Sequence, residues 1–290
     1  MAYIDQKRPI VGSGMSLLTR RRWSAAVFTT MGVLMAFTTL LPLVWMFSTA
    51  LKKESDVLAN PLNLIPFDPQ WGNFASAFGS VAPFLRNSVM LAAINVTGVV
   101  IVSSLAGFAF ARVKFWGRDI LFGIILATTM IPSIAYLIPQ YIMFDQWRWI
   151  DTWLPLFAPR VLTPVFATFL MRQAFKMLPQ ELEDAARIDG ANTFLVFFRV
   201  FLPLTKPSIA AVAVLTFVES WNDLFGPLIF INSSRLQTLP AALALFRGEF
   251  FTSITLLMAA ATISVVPVLF VYFFGQRYLV QGVANTGMTG

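Results

Sequence analysis

The sequence predicts an all-α integral membrane protein with six transmembrane helices. Of its 290 residues, 57% are apolar and 12% charged, about half the charged share of an ordinary soluble domain. The apolar residues also fall in long unbroken runs, not in the short periodic patches of a globular core. Such a chain cannot cover itself in polar surface, so its solvent is lipid, where only closed backbone hydrogen bonding survives.

Trp23 to Leu51 carries no charge and follows Arg20, Arg21 and Arg22. The run is longer than the ~7–15-residue apolar core of a cleaved leader and reads as a retained first span behind a tail of residues 1–22. Asn87 to Ala111, Ile120 to Phe144 and Phe250 to Gln276 are equally free of charge. Each exceeds the ~20 residues needed to cross the hydrocarbon core, giving the second, third and sixth spans. The fourth span is expected over Asp151 to Met171, although Arg160 interrupts it and Pro155, Pro159 and Pro164 would bend it. The fifth is expected over Pro207 to Ile231, with Glu219 and Asp223 inside it. Between the first two spans, Lys52 to Pro83 reads as an outer segment packed along the interface.

Starting inside, six spans place residues 1–22, 112–119, 172–206 and 277–290 in the cytoplasm, and these hold 14 of the 21 Lys and Arg. That bias follows the positive-inside rule and accounts for the net charge of +7 without nucleic acid. The chain thus divides into the tail 1–22, a six-helix membrane domain over 23–277 and a C-terminal tail 278–290. With no cysteine and no histidine, it lacks a thiol nucleophile, a thiolate metal site and the usual neutral-pH general base. A membrane enzyme is therefore disfavoured, and no metal or cofactor is expected on the chain itself.

The most informative stretch lies between the fourth and fifth spans, where Pro179-Gln180-Glu181-Leu182-Glu183-Asp184-Ala185-Ala186-Arg187-Ile188-Asp189-Gly190-Ala191 reads as a short helix with both ends marked. Pro179 suits a first helical position, Glu181, Glu183 and Asp184 sit where the helix dipole favours negative charge, and Gly190 suits the stop. Glu183 and Arg187 are spaced for an i,i+4 pair. Leu182, Ala185, Ala186 and Ile188 or Asp189 form one side, with small residues that let a partner approach. Periodicity alone fits a docking surface and a helix lying on the membrane equally well.

This stretch, continued through Phe197, Phe198, Leu202-Pro203-Leu204 and Lys206-Pro207, closely resembles the cytoplasmic signature loop of binding-protein-dependent ATP-binding-cassette importer permeases, written E-A-A, three residues, then G. Asp184 stands at the first letter, followed by Ala185, Ala186 and Gly190. The resemblance implies the type I importer fold, with its core over about 84–277 and a coupling loop over 172–206. It also implies that 179–191 seats in a cytosolic ATPase. An engine elsewhere agrees with the absence of any G-x-x-x-x-G-K-[ST] phosphate loop, so ATP and Mg would be bound by that partner. The other implied partners are a second, different permease subunit and an external solute-binding protein, all at a bacterial or archaeal cytoplasmic membrane with both termini inside.

Further pieces resemble the carbohydrate branch of the family, of the maltose-permease type: Ser48 to Lys52, Arg86-Asn87-Ser88, Ala109-Phe110-Ala111-Arg112, and Gln276 to Val283. The closing Thr286-Gly287-Met288-Thr289-Gly290 departs from the lysine-bearing tail of that branch. A sugar or a glycerol-phosphate-like solute is the implied cargo, with amino acids or peptides as the alternative class.

Two patches are candidates for the solute path. Thr216, Glu219, Asn222, Asp223 and Gly226 recur at three- and four-residue spacing and form one helical stripe, which fits either a pathway wall or gate, or a polar contact between helices. Trp221-Asn222-Asp223 resembles an element of sugar permeases. In the third span, Tyr136 and Gln140, with Pro132, Pro139 and Tyr141, offer rings and polar groups to a sugar. Trp147, Trp149 and Trp153 read as an interfacial belt. An ion-coupled secondary transporter with Glu219 and Asp223 as its ion sites is the competing reading.

Overall fold

The computed structural model describes residues 17–59, 63–245 and 253–287, and within them all regular structure is helical, with no strand. The expected N-terminal tail up to residue 16, the start of the sixth expected span at 250–252 and the last three residues of the C-terminal tail lie outside the described residues. Four helical segments are long and apolar enough to cross a membrane, and two sharply bent helix pairs bring the total to six.

The first span is α1 (Leu17–Ala50). It runs along the last helix, α14 (Ile254–Gly287), while Phe28, Met35 and Phe37 stay open to the surroundings. The chain turns back after Ala50, and its last carbonyls find partners across the turn: Asn73 Nδ2 donates to Ala50 O and Lys52 O at 2.9 and 3.1 Å. A short helix α2 (Glu54–Ala59) follows. The Glu54 carboxylate receives the backbone N–H groups of Ile254 and Thr255 at 2.8 and 3.1 Å, capping α14. Partial burial pushes this carboxyl up, but the hydrogen bonds from Ser253, Ile254 and Thr255 outweigh it and hold Glu54 below its ordinary value.

The second span is much longer than its charge-free core. α3 (Gly72–Arg112) has 41 residues, about 60 Å at 1.5 Å per residue and twice the hydrocarbon thickness. The expected outer segment from Lys52 to Pro83 is thereby shortened, because Gly72 to Pro83 already belong to α3. This helix is the spine of the fold and packs against α6 (Leu154–Leu162), α7 (Val165–Lys176), α11 (Lys206–Trp221) and α14. It comes close to the backbone of α7 at Gly107, where an added Cβ would stand 2.6 Å from the Met171 Cβ and 2.9 Å from the backbone N of Arg172. Since backbone cannot swing aside as a side chain can, Gly107→Val is expected to destabilise the bundle by about 3 kcal/mol. A thermal melt of the purified protein in detergent measures it.

The third expected span is not one straight helix. α4 (Arg118–Thr128) and the following 3-10 turn (Ser133–Tyr136) with α5 (Leu137–Gln146) meet at 87°. Pro132 supplies no N–H to continue the ladder and biases Ile131 away from helix, while Thr128 and Thr129 turn their hydroxyls back onto Ile125 O and Leu126 O. The fourth span breaks and resumes at Thr163-Pro164 but still reaches from Leu154 to Lys176.

Beyond it come α8 (Glu181–Ile188), α9 (Thr193–Val196), a π turn (Phe197–Phe201) and α10 (Leu202–Leu204), then a 76° bend into α11. The fifth span ends at Trp221 and restarts as α12 (Phe225–Phe230), followed by a 3-10 turn (Ser234–Leu236) and α13 (Leu239–Leu245). The expected tryptophan belt is largely tied into the protein. Trp153 Nε1 donates to Leu236 O at 2.9 Å, and Trp149 stacks on Phe144 at 5.4 Å. Trp147 alone of the three is more than half exposed.

At the α8 end of the bundle, four buried phenylalanines lock three elements together. The ring of Phe108 on α3 meets Phe175 on α7 and Phe197 and Phe201 on the π turn at centroid distances of 5.0 to 5.7 Å. Beside them Arg172 donates to Phe110 O and to Asp119 and lies over the Phe122 ring, joining α7 to α3 and α4.

Candidate functional site

Two regions carry the residues singled out in the sequence. The first is α8 with its two ends. The helix starts at Glu181 with Gln180 as its cap residue, whose carbonyl receives Glu183 N and Asp184 N. Pro179 therefore precedes the cap and does not occupy the expected first helical position. Gly190 adopts φ +84°. There Gly190 N donates to Arg187 O at 3.0 Å and Ala191 N to Ala186 O at 2.9 Å, the paired bonds of a left-handed helix stop.

The helix divides into two faces. Glu183 is buried and takes Arg187 at 2.8 Å in the expected i,i+4 pair. Ala186 and Ala191 pack against the phenylalanine cluster. The expected one-sided set is thereby corrected, because Ala186 faces inward; the return of the chain through Ala191 pulls that side onto the core. Glu181, Leu182, Asp184, Ala185, Ile188 and Asp189 face out. Ile188 is 87% exposed, and on the neighbouring α9 and π turn Phe194 and Phe198 are 73% and 55% exposed. This is an apolar surface with acids beside it at the end of a membrane bundle.

Arg112 supplies what the sequence did not reveal here. It closes the C-terminus of α3, and its guanidinium donates to Phe175 O and Leu178 O, to the Gln180 side chain at 2.9 Å, and lies 4.7 Å over the Phe201 ring. One cation thus binds a carbonyl in the last turn of α7 and another just beyond it, and grips the cap residue of α8. These contacts tie the start of α8 to the ends of α3 and α7. In the sequence Arg112 stood only as the last residue of the Ala109-Phe110-Ala111-Arg112 piece, and no spacing rule connects it to Gln180.

The second region lies within the spans. A cavity of about 290 Å³ is lined by Tyr136, Arg160, Leu170, Thr216 and Glu219 among others. A second, of about 520 Å³, is lined by Tyr136, Gln140, Arg160, Glu219, Asp223 and Gly226 with neighbours. Tyr136, Arg160 and Glu219 border both, so two patches that were separate in sequence share one space. Asn222 is not among the lining residues; its side chain returns to Val218 O at 2.9 Å. The expected continuous stripe is corrected likewise. Because the helix ends at Trp221, Asp223 reaches the cavity through the break before α12 and not by helical periodicity. Trp221 itself is buried, stacked on Phe217 and bonded to Ser264 O, which makes it a tether to α14.

Arg160, read in the sequence only as an interruption, is central to this region. Its Nη2 stands 3.4 Å from Asp223 Oδ2 and 3.7 Å from Glu219 Oε1. Asp223 is further held by Gly226 N at 3.0 Å. An isolated charge at membrane depth is costly, and the pairing of Arg160 with Asp223 offsets part of that cost.

Residues 98–285 match the family model described as "Binding-protein-dependent transport system inner membrane component". The chain is 32% identical over 261 residues to an arabinooligosaccharides transport system permease protein of Halalkalibacterium halodurans, covering 88% of this chain and 93% of that one. It is 33% identical over 257 residues to an sn-glycerol-3-phosphate transport system permease protein of Pectobacterium atrosepticum, covering 85% and 91%. Among solved structures, a bacterial ABC transporter involved in import of the acidic polysaccharide alginate contains a chain that matches with a TM-score of 0.76 at 22% identity, over 92% of this chain and 99% of that one. An all-helical bundle with broken spans, a short helix closed by Gly190 outside them and a family match over most of its length leave one assignment: the chain belongs to the binding-protein-dependent transport system inner membrane components, with the type I importer fold.

Proposed function

We propose that the protein is the translocation-pathway subunit of an ATP-driven importer of a sugar or glycerol-phosphate-like compound, powered by a cytosolic ATPase dimer that docks on α8. The relatives' printed names, an arabinooligosaccharide and a glycerol-phosphate permease, support that cargo class. The observation that carries the reading is α8 itself. It is a short helix stopped by Gly190, exposing Ile188 on one side and gripped by Arg112 on the other. Such a helix offers a partner an apolar contact and passes that partner's movement to the spans.

In this reading the α8 end and both termini face the cytoplasm of a bacterial or archaeal cell. ATP and Mg sit on the ATPase, a second permease subunit completes the path, and an external binding protein delivers solute. Thr216, Glu219, Asp223, Tyr136 and Gln140 line this subunit's share of the path, and Asn222 has no part in it. Alternating access moves solute with no covalent chemistry in this chain.

The test is uptake of radiolabelled sugars into proteoliposomes holding both permease subunits, the ATPase and the binding protein. Uptake is expected to require ATP hydrolysis and to vanish when the ATPase is omitted. Full-rate uptake driven by a proton or sodium gradient without the ATPase would overturn the reading in favour of an ion-coupled carrier.

A further inference from the structure

The charge balance of the two joined cavities points to a narrower cargo, on the reading that they belong to the solute path. Arg160 is committed to Asp223, 3.4 Å away, and Asp223 is clamped a second time by Gly226 N. Glu219 is different. Its side chain is 69% exposed, and its single polar contact among the described residues is Arg160 at 3.7 Å, beyond hydrogen-bond reach. Two carboxylates face one guanidinium, and none of the other residues lining either cavity carries a charge. The shared wall therefore keeps one uncompensated negative charge in a cavity that Tyr136 and Gln140 also line.

We propose that Glu219 is a charge filter: of the two cargo classes proposed above the path takes the sugars, admitting neutral carbohydrates and cationic amino sugars, and it rejects the glycerol-phosphate-like class together with uronates, sulfonates and sugar phosphates. A carboxylate accepts hydrogen bonds from sugar hydroxyls and attracts an ammonium. It repels an anionic group brought into the same cavity. Arg160 cannot reverse that preference while Asp223 holds it.

The binding protein also selects solute, so the measurement is made on the assembled permease and ATPase complex in detergent without it. Binding of maltotriose, of a galacturonic acid trimer and of a glucosamine trimer is followed by calorimetry. Maltotriose and the glucosamine trimer are expected to bind at least about tenfold more tightly than the galacturonate. Glu219→Gln should bring the galacturonate to within about threefold of maltotriose, Glu219→Asp should keep the discrimination, and added salt should weaken it. Equal binding of maltotriose and galacturonate to the unaltered complex would overturn the filter while leaving the carbohydrate reading intact. So would a ratio unmoved by Glu219→Gln in a complex that still assembles. Binding of none of the three sugars would overturn the carbohydrate reading and the filter with it.

Discussion

Ile188→Glu is expected to release the ATPase from the membrane subunits while leaving the permease folded. The side chain is 87% exposed on α8 and has no packing role within the described protein, so its replacement costs the isolated bundle almost nothing. If α8 is the ATPase seat proposed above, Ile188 would be the apolar anchor of a small docking surface shared with the exposed Phe194 and Phe198. Losing the burial of one isoleucine and forcing a carboxylate into its place should cost at least about 2 kcal/mol, roughly 30-fold in affinity. Co-purification of the ATPase with tagged permease measures the loss, and an unchanged melting temperature of the permease shows that the fold is intact. ATPase recovered at the unaltered level would mean that α8 is not where the motor seats.

Gly190→Val should be equally severe for transport, by a different route. An added Cβ meets nothing within 4 Å, so space is not the obstacle. The cost comes from φ +84°, a conformation that penalises L-residues by about 1–2 kcal/mol and β-branched ones most. The chain would relax by abandoning the left-handed stop. It would thereby lose the Ala191-to-Ala186 bond and the aim of Asn192, whose side chain caps α9 by accepting Leu195 N at 2.9 Å. The ATPase would then push on a helix no longer rigidly attached to the spans. Uptake in proteoliposomes should fall at least about tenfold while ATP hydrolysis continues without stimulation by solute and binding protein, and Gly190→Asn, which tolerates this conformation, should recover much of it. Normal uptake by Gly190→Val would contradict the coupling role.

The two regions differ in how far they could be read from sequence. Almost everything about α8 is local. Its acids lie within one turn of its start, Glu183 and Arg187 are four residues apart, and Gly190 is its own signal, so the helix and its stop are visible without knowing the fold. Its faces are not. Ala186 turns inward because Phe108, Phe175, Phe197 and Phe201 converge from three elements, and no period within eight residues encodes that. Arg112 was visible as a charge, but its grip on Gln180 spans 68 residues of chain. In the cavity region the helical period was misleading at Asp223, because the break after Trp221 resets it.

The sequence by itself determined that this is a membrane bundle of about six spans, that a short acidic helix stopped at Gly190 lies between two of them, and which polar residues had to be kept away from lipid. Those properties follow from run length, local caps and the cost of an unpaired charge in hydrocarbon, all of which act within a few turns of helix. Tertiary structure alone decided that α3 overshoots the membrane, that the third span is bent at 87°, and that Arg160 meets Asp223 while Glu219 remains nearly free. Pairing of that kind depends on which helices lie side by side, and the balance of packing across the whole bundle sets their arrangement.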